Sequence, residues 1–197
     1  MSLRTRILLL FGAALVALLA VASASARWVV LDSFERLEQR EVERNAERLL
    51  AAVEGDLQQL GGATRDWAAW DDLYAYAQNG SATFAAQNLD LEATYTNNRL
   101  NLLGVFNTSG RAMYLRAYDF RRSAPLITPP ALLRTHLAPD SPLLRHATPD
   151  DATTGLIQFE GGVLMLSAQP ILHNDRQGPI LGTLVWARYL DTATVQD

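Results

Sequence analysis

The distribution of apolar and polar residues along this chain predicts where its helices and strands lie. Ile7 to Ala26 carries no charge over twenty residues, which as a helix spans about 30 Å. From Asp32 onward apolar residues recur at steps of three, four or seven, which predicts a long helix with a narrow seam of coiled-coil type. The seam positions are Val42, Ala46, Leu49, Val53, Leu60, Thr64 and Trp67.

The uncharged N-terminal stretch is either a membrane anchor or a cleavable signal peptide. Arg4 and Arg6 precede it and would hold the N-terminus in the cytoplasm, which sends the chain from about residue 28 outside. The anchor is favoured because Trp28 to Leu31 prolongs the apolar run and no helix breaker follows before Gly55. The alternative rests on Ala22 to Ala26, a run of small residues that resembles a cleavage site.

Two glycines, Gly61 and Gly62, interrupt the helical seam. They predict a kink, or a boundary between a helical stalk and a folded domain, because glycine is unfavourable inside a helix. A helix that rises from a membrane anchor invites pairing with its own copy, so the stalk predicts a homodimer. The predicted segments are a cytoplasmic tip and anchor at 1–31, a stalk at 32–62, a folded domain at 63–191 and a tail at 192–197.

Strand-like segments begin after Asn79-Gly80, where the helical pattern ends. Arg99–Phe106 and Arg111–Tyr118 flank the turn Asn107–Gly110 and predict a β-hairpin. Further along, residues 155–159 and 163–172 predict a second hairpin around Glu160–Gly162, and residues 180–190 predict a long final strand. Between these elements, residues 81–95 are expected to form a loop with one short helical turn. Prolines mark short helices at residues 131–137 and 143–146.

The order of these elements predicts an α+β fold. A transmembrane helix continues into a long stalk helix, and a PAS-like antiparallel sheet of about five strands follows, with helices packed on one face. No second apolar run precedes the last residue, Asp197.

Composition narrows the possible chemistry. The chain has no cysteine, which excludes disulfides, thiolate metal sites and cysteine nucleophiles. The net charge is −4 and all seventeen basic residues are arginines spread along the chain, so no nucleic-acid partner is expected. The sequence has no hydrolase, metalloprotease or phosphate-binding motif and its three histidines lack metal-ligand spacing. We expect no catalytic residue, metal or cofactor.

The most unusual stretch runs from Asp66 to Tyr76 and holds two of the four tryptophans. If it is one helix, Trp67, Trp70, Asp71 and Tyr74 share a face and Asp72 points away. Two interpretations stay open: Asp71 is a polar anchor at the edge of an aromatic core, or this face is the wall of a ligand pocket.

Other candidate binding residues lie in and beside the first hairpin. Asn98 and Asn101 are polar for the entry to a strand, and they predict either a helix-to-strand turn or part of a binding site. Tyr118 ends the predicted hairpin and completes the candidate set. The predicted ligand-binding residues are therefore Trp67, Trp70, Asp71, Asp72, Tyr74, Asn98, Asn101 and Tyr118.

Three segments resemble one family of sensor domains. They are Asp66–Tyr74, Asn98–Phe106 with Gly110-Arg111 after the turn, and Gly182–Asp191. Together they are similar to the fourth CHASE family over roughly residues 60 to 191. The aromatic and Asp-Asp motif is the specific part of the likeness, whereas the strands are generic.

The resemblance implies an extracytoplasmic sensory domain of a bacterial membrane receptor. In such receptors a second membrane helix joins the sensor to a cytoplasmic diguanylate cyclase, cyclic-di-GMP phosphodiesterase or histidine kinase. We therefore expect a periplasmic, ligand-binding input domain on the inner membrane, and this chain would be a fragment of a receptor or a stand-alone relative. The alternatives are an exported interaction module released by cleavage near Ala26 and, less in keeping with the motifs, a hydrolase built on Asp71 and Asp72.

Overall fold

The computed structural model describes residues 3–159 and 162–190. The chain divides into two compact units, Met1–Ala51 and Ala52–Asp197. The predicted boundaries at 31/32 and 62/63 stay predictions. The predicted tail at 192–197 and the turn residues Glu160 and Gly161 lie outside the described residues.

Helix α1 is a single helix from Leu3 to Ala68. It passes through Gly61 and Gly62 without ending, because neither glycine has a proline or a capping residue beside it. In the first unit the described apolar side chains are exposed, among them Leu8, Phe11 and Val16. Across the residues that the structure describes, no helix combines the length and the apolar content needed to cross a membrane. The anchor predicted at residues 7–26 stays a prediction.

The second unit adds short helices on both sides of a sheet. Helix α2 spans Asp71–Asn79 and ends at Gly80 in the left-handed conformation (φ 64°). Helix α3, Ala82–Phe84, continues as a π-helical turn at Ala85–Leu89, and α4 spans Glu92–Asn97. The loop expected at residues 81–95 is therefore wrong, because Ser81 caps α3 and Thr94 donates to the Asn88 carbonyl.

The sheet has six antiparallel strands in the order β3-β2-β1-β6-β5-β4. Their bounds are β1 Leu102–Asn107, β2 Ala112–Asp119, β3 Ala124–Leu126, β4 Thr153–Phe159, β5 Gly162–Pro170 and β6 Gly182–Tyr189. The predicted α+β class with an antiparallel sheet and helices is confirmed. The sixth strand is the short edge strand β3, which contains Pro125 and carries no alternating pattern that would reveal it.

Both hairpins follow the predicted pairing. Strands β1 and β2 pair with Gly104 opposite Leu115, and β4 and β5 pair with Leu156 opposite Met165. In the turn between β1 and β2, the Asn107 side chain accepts hydrogen bonds from the backbone N–H groups of Ser109 and Arg111, both at 3.0 Å. The final strand β6 lies between β1 and β5 in the middle of the sheet.

Both faces of the sheet are buried, which corrects the expectation of helices on one face. We call the face under α1, α2 and α4 the inner face, and it carries Leu103, Val105, Leu184 and Trp186. The opposite, outer face is covered by residues 130–144, which contain helix α5, Pro130–Thr135, and a 3₁₀ turn at Pro142–Leu144. The central strands are apolar at consecutive positions, as strands buried on both faces must be.

Candidate functional site

The aromatic and acidic stretch is broken into two helices at Trp70. Helix α1 ends at Ala68, Trp70 has extended backbone angles (φ −105°, ψ 124°), and α2 begins at Asp71. The free carbonyl of Ala68 accepts a hydrogen bond from the N–H of Leu172 at 3.0 Å. The expectation that Trp67, Trp70, Asp71 and Tyr74 share one helical face is therefore wrong, because a long-range backbone bond replaces the next helical one.

The two tryptophans form a chain of ring contacts on the inner face. Trp67 meets Trp70 edge to face with ring centroids 5.6 Å apart, and Trp67 also contacts Trp186 at 5.2 Å. Trp70 in turn contacts Phe84 at 5.3 Å, and Phe84 stacks on Tyr76. Both tryptophans are half-buried, so their rings seal the edge of the aromatic core.

Asp71 does not point at these rings but holds the loop between β5 and β6. Its Oδ1 accepts from the N–H of Asn174 at 3.0 Å and pairs with His173 Nδ1 at 2.9 Å. These partners lower the pKa of the Asp71 carboxyl, the Asn174 backbone bond being the larger cause and His173 the second. The side chain is 53% exposed. The structure thus favours backbone anchoring, one of the two interpretations that the sequence left open.

Tyr74 is buried beside the same loop. Its ring lies on His173 with centroids 3.7 Å apart and an interplanar angle of 32°, and its O–H donates to the Pro179 carbonyl at 3.2 Å. Asp72 is exposed. No hydrogen bond or ion pair involves its side chain within residues 3–159 and 162–190.

The two asparagines have different surroundings. Asn101 is 8% exposed, donates from Nδ2 to the Tyr118 carbonyl and accepts from the N–H of Tyr189, both at 3.0 Å. It therefore ties β2 to β6 beyond the start of β1. Asn98 donates to the carbonyl of Thr94 at 2.9 Å, one turn back on α4. These contacts are those of the predicted helix-to-strand turn.

A polar network on the inner face escaped the sequence analysis. The hydroxyls of Tyr95 and Tyr114 lie 3.1 Å apart, and the Tyr114 hydroxyl also donates toward Asp90 at 2.8 Å. Arg116 donates to the Asp90 carbonyl at 2.7 Å and lies over the rings of Tyr95 and Tyr118, 5.3 Å from each centroid. Burial raises the pKa of both Tyr95 and Tyr114. The alternation of Tyr114, Arg116 and Tyr118 along β2 was the available signal.

The inner face also carries buried polar atoms without hydrogen-bond partners among the described residues. They are the Tyr118 hydroxyl, Gln169 Oε1, Trp186 Nε1, and Nε and Nη1 of Arg188. Arg188 is 5% exposed, and its Nη2 donates to the Asn98 carbonyl at 3.3 Å. Burial lowers the pKa of its guanidinium, a shift that Asp56 on α1 opposes. A buried polar atom without a partner costs about 1–3 kcal/mol, so these groups favour a polar guest on this face.

Two cavities are lined by described residues. The first, about 510 Å³, lies between α1 and strands β4 and β5, and the second, about 490 Å³, lies at the end of the sheet beside Asn101, Asp119 and Tyr189. Of the eight predicted ligand-binding residues, only Asn101 lines either of these two cavities. The binding role of all eight residues stays a prediction. Within residues 3–159 and 162–190, no group of three or more histidine or acidic side chains is placed to hold a metal.

Comparison with known proteins identifies a family and several relatives. A family model described as "CHASE4 domain" matches residues 52–197. The chain is 28% identical over 196 residues to "Methanogenesis regulatory histidine kinase FilI" of Methanothrix harundinacea (strain 6Ac). The match covers all of this chain and 22% of the relative, so the chain spans less than a quarter of that relative's length.

Two solved structures are similar over most of the chain. One is the domain of a "putative sensory box/GGDEF family protein" from Vibrio parahaemolyticus, at 18% identity and a TM-score of 0.45, covering 75% of this chain and 61% of that one. The other is the extracellular domain of the "putative histidine kinase vpHK1S-Z8", at 16% identity and a TM-score of 0.49, covering 72% of this chain and 54% of that one.

Proposed function

Since the chain belongs to the CHASE4 domain family, we propose that it is the extracytoplasmic ligand-sensing input domain of a bacterial membrane receptor. The observation that carries this proposal is the extent of the family match. It covers residues 52–197, the same residues as the second compact unit. That unit has a PAS-like arrangement of helices on an antiparallel sheet, which is consistent with the proposal.

In this proposal the output of the receptor is a cytoplasmic enzyme. The curated relative is named a histidine kinase, which supports a kinase as the output module. A diguanylate cyclase or a cyclic-di-GMP phosphodiesterase is the alternative output in this proposal. The chain itself carries no catalytic motif and acts by binding.

The N-terminal part of α1 anchors the receptor in the inner membrane. Support comes from the uncharged sequence at residues 7–26 and from its exposed apolar side chains, such as Phe11, which is 74% exposed. Apolar surface of this extent is unusual on a water-soluble element. Arg4 holds the N-terminus in the cytoplasm and the sensor then lies in the periplasm.

A topology experiment tests the anchor. Alkaline phosphatase fused after Leu190 is expected to be active, and the fusion is expected to stay in the membrane fraction. If the chain is instead an exported module, cleavage leaves a shorter, soluble periplasmic species that begins at Arg27. Mass spectrometry of the mature protein separates the two, and a soluble species beginning at Arg27 would exclude the anchor.

Pairing of α1 with its copy makes the receptor a dimer. Val42, Leu49 and Leu50 are exposed apolar residues on α1 of the first unit, and a seam of this kind is stabilised by burial against a second helix. The chain has no cysteine, so a single cysteine can be introduced without background. Val42→Cys is expected to form a disulfide-linked dimer in membranes, whereas Glu43→Cys, one residue away on another face, is expected to crosslink less.

Ligand sensing is tested by thermal shift of the full chain. The probes are amino acids, amines, carboxylates and nucleosides, and at least one is expected to raise Tm by about 5–10 °C at 100 times its Kd. We place the ligand between the Trp67–Tyr74 segment and the β1–β2 hairpin, where it shifts the end of α1. Trp70→Ala and Asp71→Ala are then expected to abolish the shift. A hit that survives in both variants places the pocket elsewhere.

A further inference from the structure

The first cavity lies between the last turns of α1 and the strands β4 and β5. Its volume is about 510 Å³, inside the range of about 300–1,000 Å³ that is typical of small-molecule sites. We call it the α1 groove. All of its lining residues belong to the second compact unit, and none of them is among the ligand-binding residues predicted from the sequence.

The two glycines of α1 create the space. A Cβ added to Gly61 would lie 3.1 Å from Oγ1 of Thr154, so α1 approaches β4 closely at this turn. A Cβ added to Gly62 would meet no atom within 4 Å, and Gly62 lines the groove. Residue 62 is exposed and therefore has room for a side chain at the rim of the groove.

The floor of the groove holds a buried amide that is only partly satisfied. Gln169 is 2% exposed, and its Nε2 donates to Oγ of Ser167 at 3.1 Å. Ser167 Oγ lies 3.0 Å from Thr154 Oγ1, which completes a short chain of polar groups. Oε1 of Gln169 has no partner in the described chain, although the residue lines the groove. Oε1 itself is inaccessible in this conformation, so a guest that presents an N–H group removes this penalty by drawing the Gln169 amide toward the groove.

The two ends of the groove carry opposite charges. Glu54 and Arg65 both line it, and eleven residues of helix separate them by about 16 Å along the axis. Among the described side chains neither of them forms an ion pair. An extended peptide of three residues is about 10 Å long, so its two charged termini can meet two long side chains that are set this far apart.

We propose that the α1 groove binds a short unblocked peptide of about three residues. The ammonium group pairs with Glu54, the terminal carboxylate with Arg65, and a peptide N–H donates to Oε1 of Gln169. This assignment rests on the proposed sensor function, to which it adds a second candidate site, separate from the Trp67–Tyr74 segment, with its own ligand class. It also places that site on α1 itself, the helix that leads toward the N-terminus.

Calorimetry on the full chain tests the assignment with trialanine and an equimolar mixture of unblocked tripeptides. Trialanine is expected to bind at least ten times more tightly than N-acetyl-trialanine amide, which lacks both terminal charges. If trialanine itself binds weakly, the tripeptides that copurify with the protein from the mixture are compared with their own blocked forms in the same way. Equal affinity for the blocked and the unblocked peptide would overturn the charge assignment. L-alanine, which is too short to reach both ends, is expected to bind at least ten times more weakly.

A pair of glycine variants tests the location. Gly62→Leu is expected to lower affinity at least tenfold because a large side chain at this rim position obstructs the groove. Gly55→Leu is the matched control, because Gly55 is also an α1 glycine with no atom within 4 Å of its added Cβ, yet it does not line the groove. Unchanged binding in Gly62→Leu would overturn the proposal. Gln169→Met, close to isosteric, is expected to weaken binding without lowering the helical circular-dichroism signal.

The remaining outcomes separate this proposal from the sensor function. If no tripeptide binds while another solute gives a thermal shift that Trp70→Ala abolishes, the groove assignment fails and the sensor function stands. If no solute binds in the α1 groove or beside the Trp67–Tyr74 segment, the groove assignment and the sensor function both fail. If no peptide binds and Gly62→Leu changes the mass in light scattering, a second copy of the chain occupies the groove and the peptide proposal is overturned.

Discussion

Asp71 and Asn174 exchange hydrogen bonds between side chain and backbone in both directions. Oδ1 of Asp71 accepts from the N–H of Asn174 at 3.0 Å, and Oδ1 of Asn174 accepts from the N–H of Asp71 at 3.2 Å. The two residues are 103 positions apart in the chain. This reciprocal pair fixes the first turn of α2 to the loop between β5 and β6, next to the place where α1 ends.

Removing the Asp71 carboxylate is expected to loosen this loop. Asp71→Ala should lower Tm and speed hydrogen exchange at Leu172 and Asn174, because the backbone N–H of Asn174 loses its acceptor and the start of α2 loses its anion. Asp72→Ala is the matched control, since Asp72 is an exposed neighbour in the same turn. Equal effects of the two substitutions would contradict the anchoring role.

The Asp71 carboxylate also predicts how the stability of the protein changes at acid pH. The pKa of Asp71 is lowered in the folded protein, so its contribution to stability is present above its unfolded pKa of about 3.9 and is lost as pH falls through the lower, folded value. Thermal melts from pH 5 to pH 2 should therefore show a smaller loss of Tm in Asp71→Asn than in the unmodified chain. An identical acid profile in both proteins would argue against this linkage.

Asn101 is expected to matter for stability more than Asn98. Asn101→Ala leaves the buried carbonyl of Tyr118 without its donor and the half-buried N–H of Tyr189 without its acceptor, which should cost about 2–3 kcal/mol. Asn98→Ala removes one bond to Thr94 at a half-buried position and should cost about 1 kcal/mol or less. Urea denaturation measures both free energies of unfolding. A reversed order would show that Asn101 is not the structural link between β2 and β6.

Two glycines with similar left-handed backbones separate conformational strain from steric clash. Gly80 has φ 64° and no atom within 4 Å of an added Cβ, so Gly80→Ala should cost about 1 kcal/mol. Gly110 has φ 73°, and an added Cβ would lie 2.3 Å from the carbonyl oxygen of Pro139. Gly110→Ala must also displace that backbone and should cost at least about 3 kcal/mol. Similar losses in the two variants, measured by urea denaturation, would mean that the Pro139 loop moves freely.

His146 is expected to make stability depend on pH near neutrality. It lies on the outer side of the sheet, where Nε2 is 3.0 Å from Oγ1 of Thr183 and Nδ1 donates to the Asp151 carbonyl. Burial lowers the pKa of its imidazole, although Asp151 opposes the shift. A histidine with a lowered folded pKa stabilises the protein above its unfolded pKa of about 6.5, and this contribution is lost as pH falls through the folded value.

Urea denaturation between pH 8 and pH 5 measures this effect. The free energy of unfolding should decrease as pH falls below about 6.5, and the decrease should be smaller in His146→Gln, which cannot titrate. A variant with the same pH slope as the unmodified chain would assign the effect to another group.

The hairpin of β1 and β2 could be predicted because its information is local. Asn107 and Gly110 dictate the turn, and the apolar segments on either side of it supply the two strands. The short strand β3 could not be predicted from the sequence, because its residues Ala124, Pro125 and Leu126 form a strand only by pairing with the edge of β2. The coverage of the outer face by residues 130–144 likewise depends on long-range packing that periodicity does not encode.

The candidate site shows the same division. Helical periodicity placed Asp71 with Trp67 and Trp70, but the break at Trp70 turns Asp71 toward Asn174. The bond from Leu172 to the Ala68 carbonyl joins residues about a hundred positions apart. Only the folded sheet brings Leu172 and Ala68 close enough to form this hydrogen bond.

By itself, the sequence determined the long N-terminal helix, the two hairpins, the final strand, the α+β class and the likeness to a sensor family, because these depend on composition, periodicity and local turn chemistry. Tertiary structure decided where α1 stops, which groups Asp71 holds and where the α1 groove lies. The groove is lined by Gly62 on a helix and by Gln169 on a strand, and such distant positions are brought to one cavity by packing rather than by any local pattern.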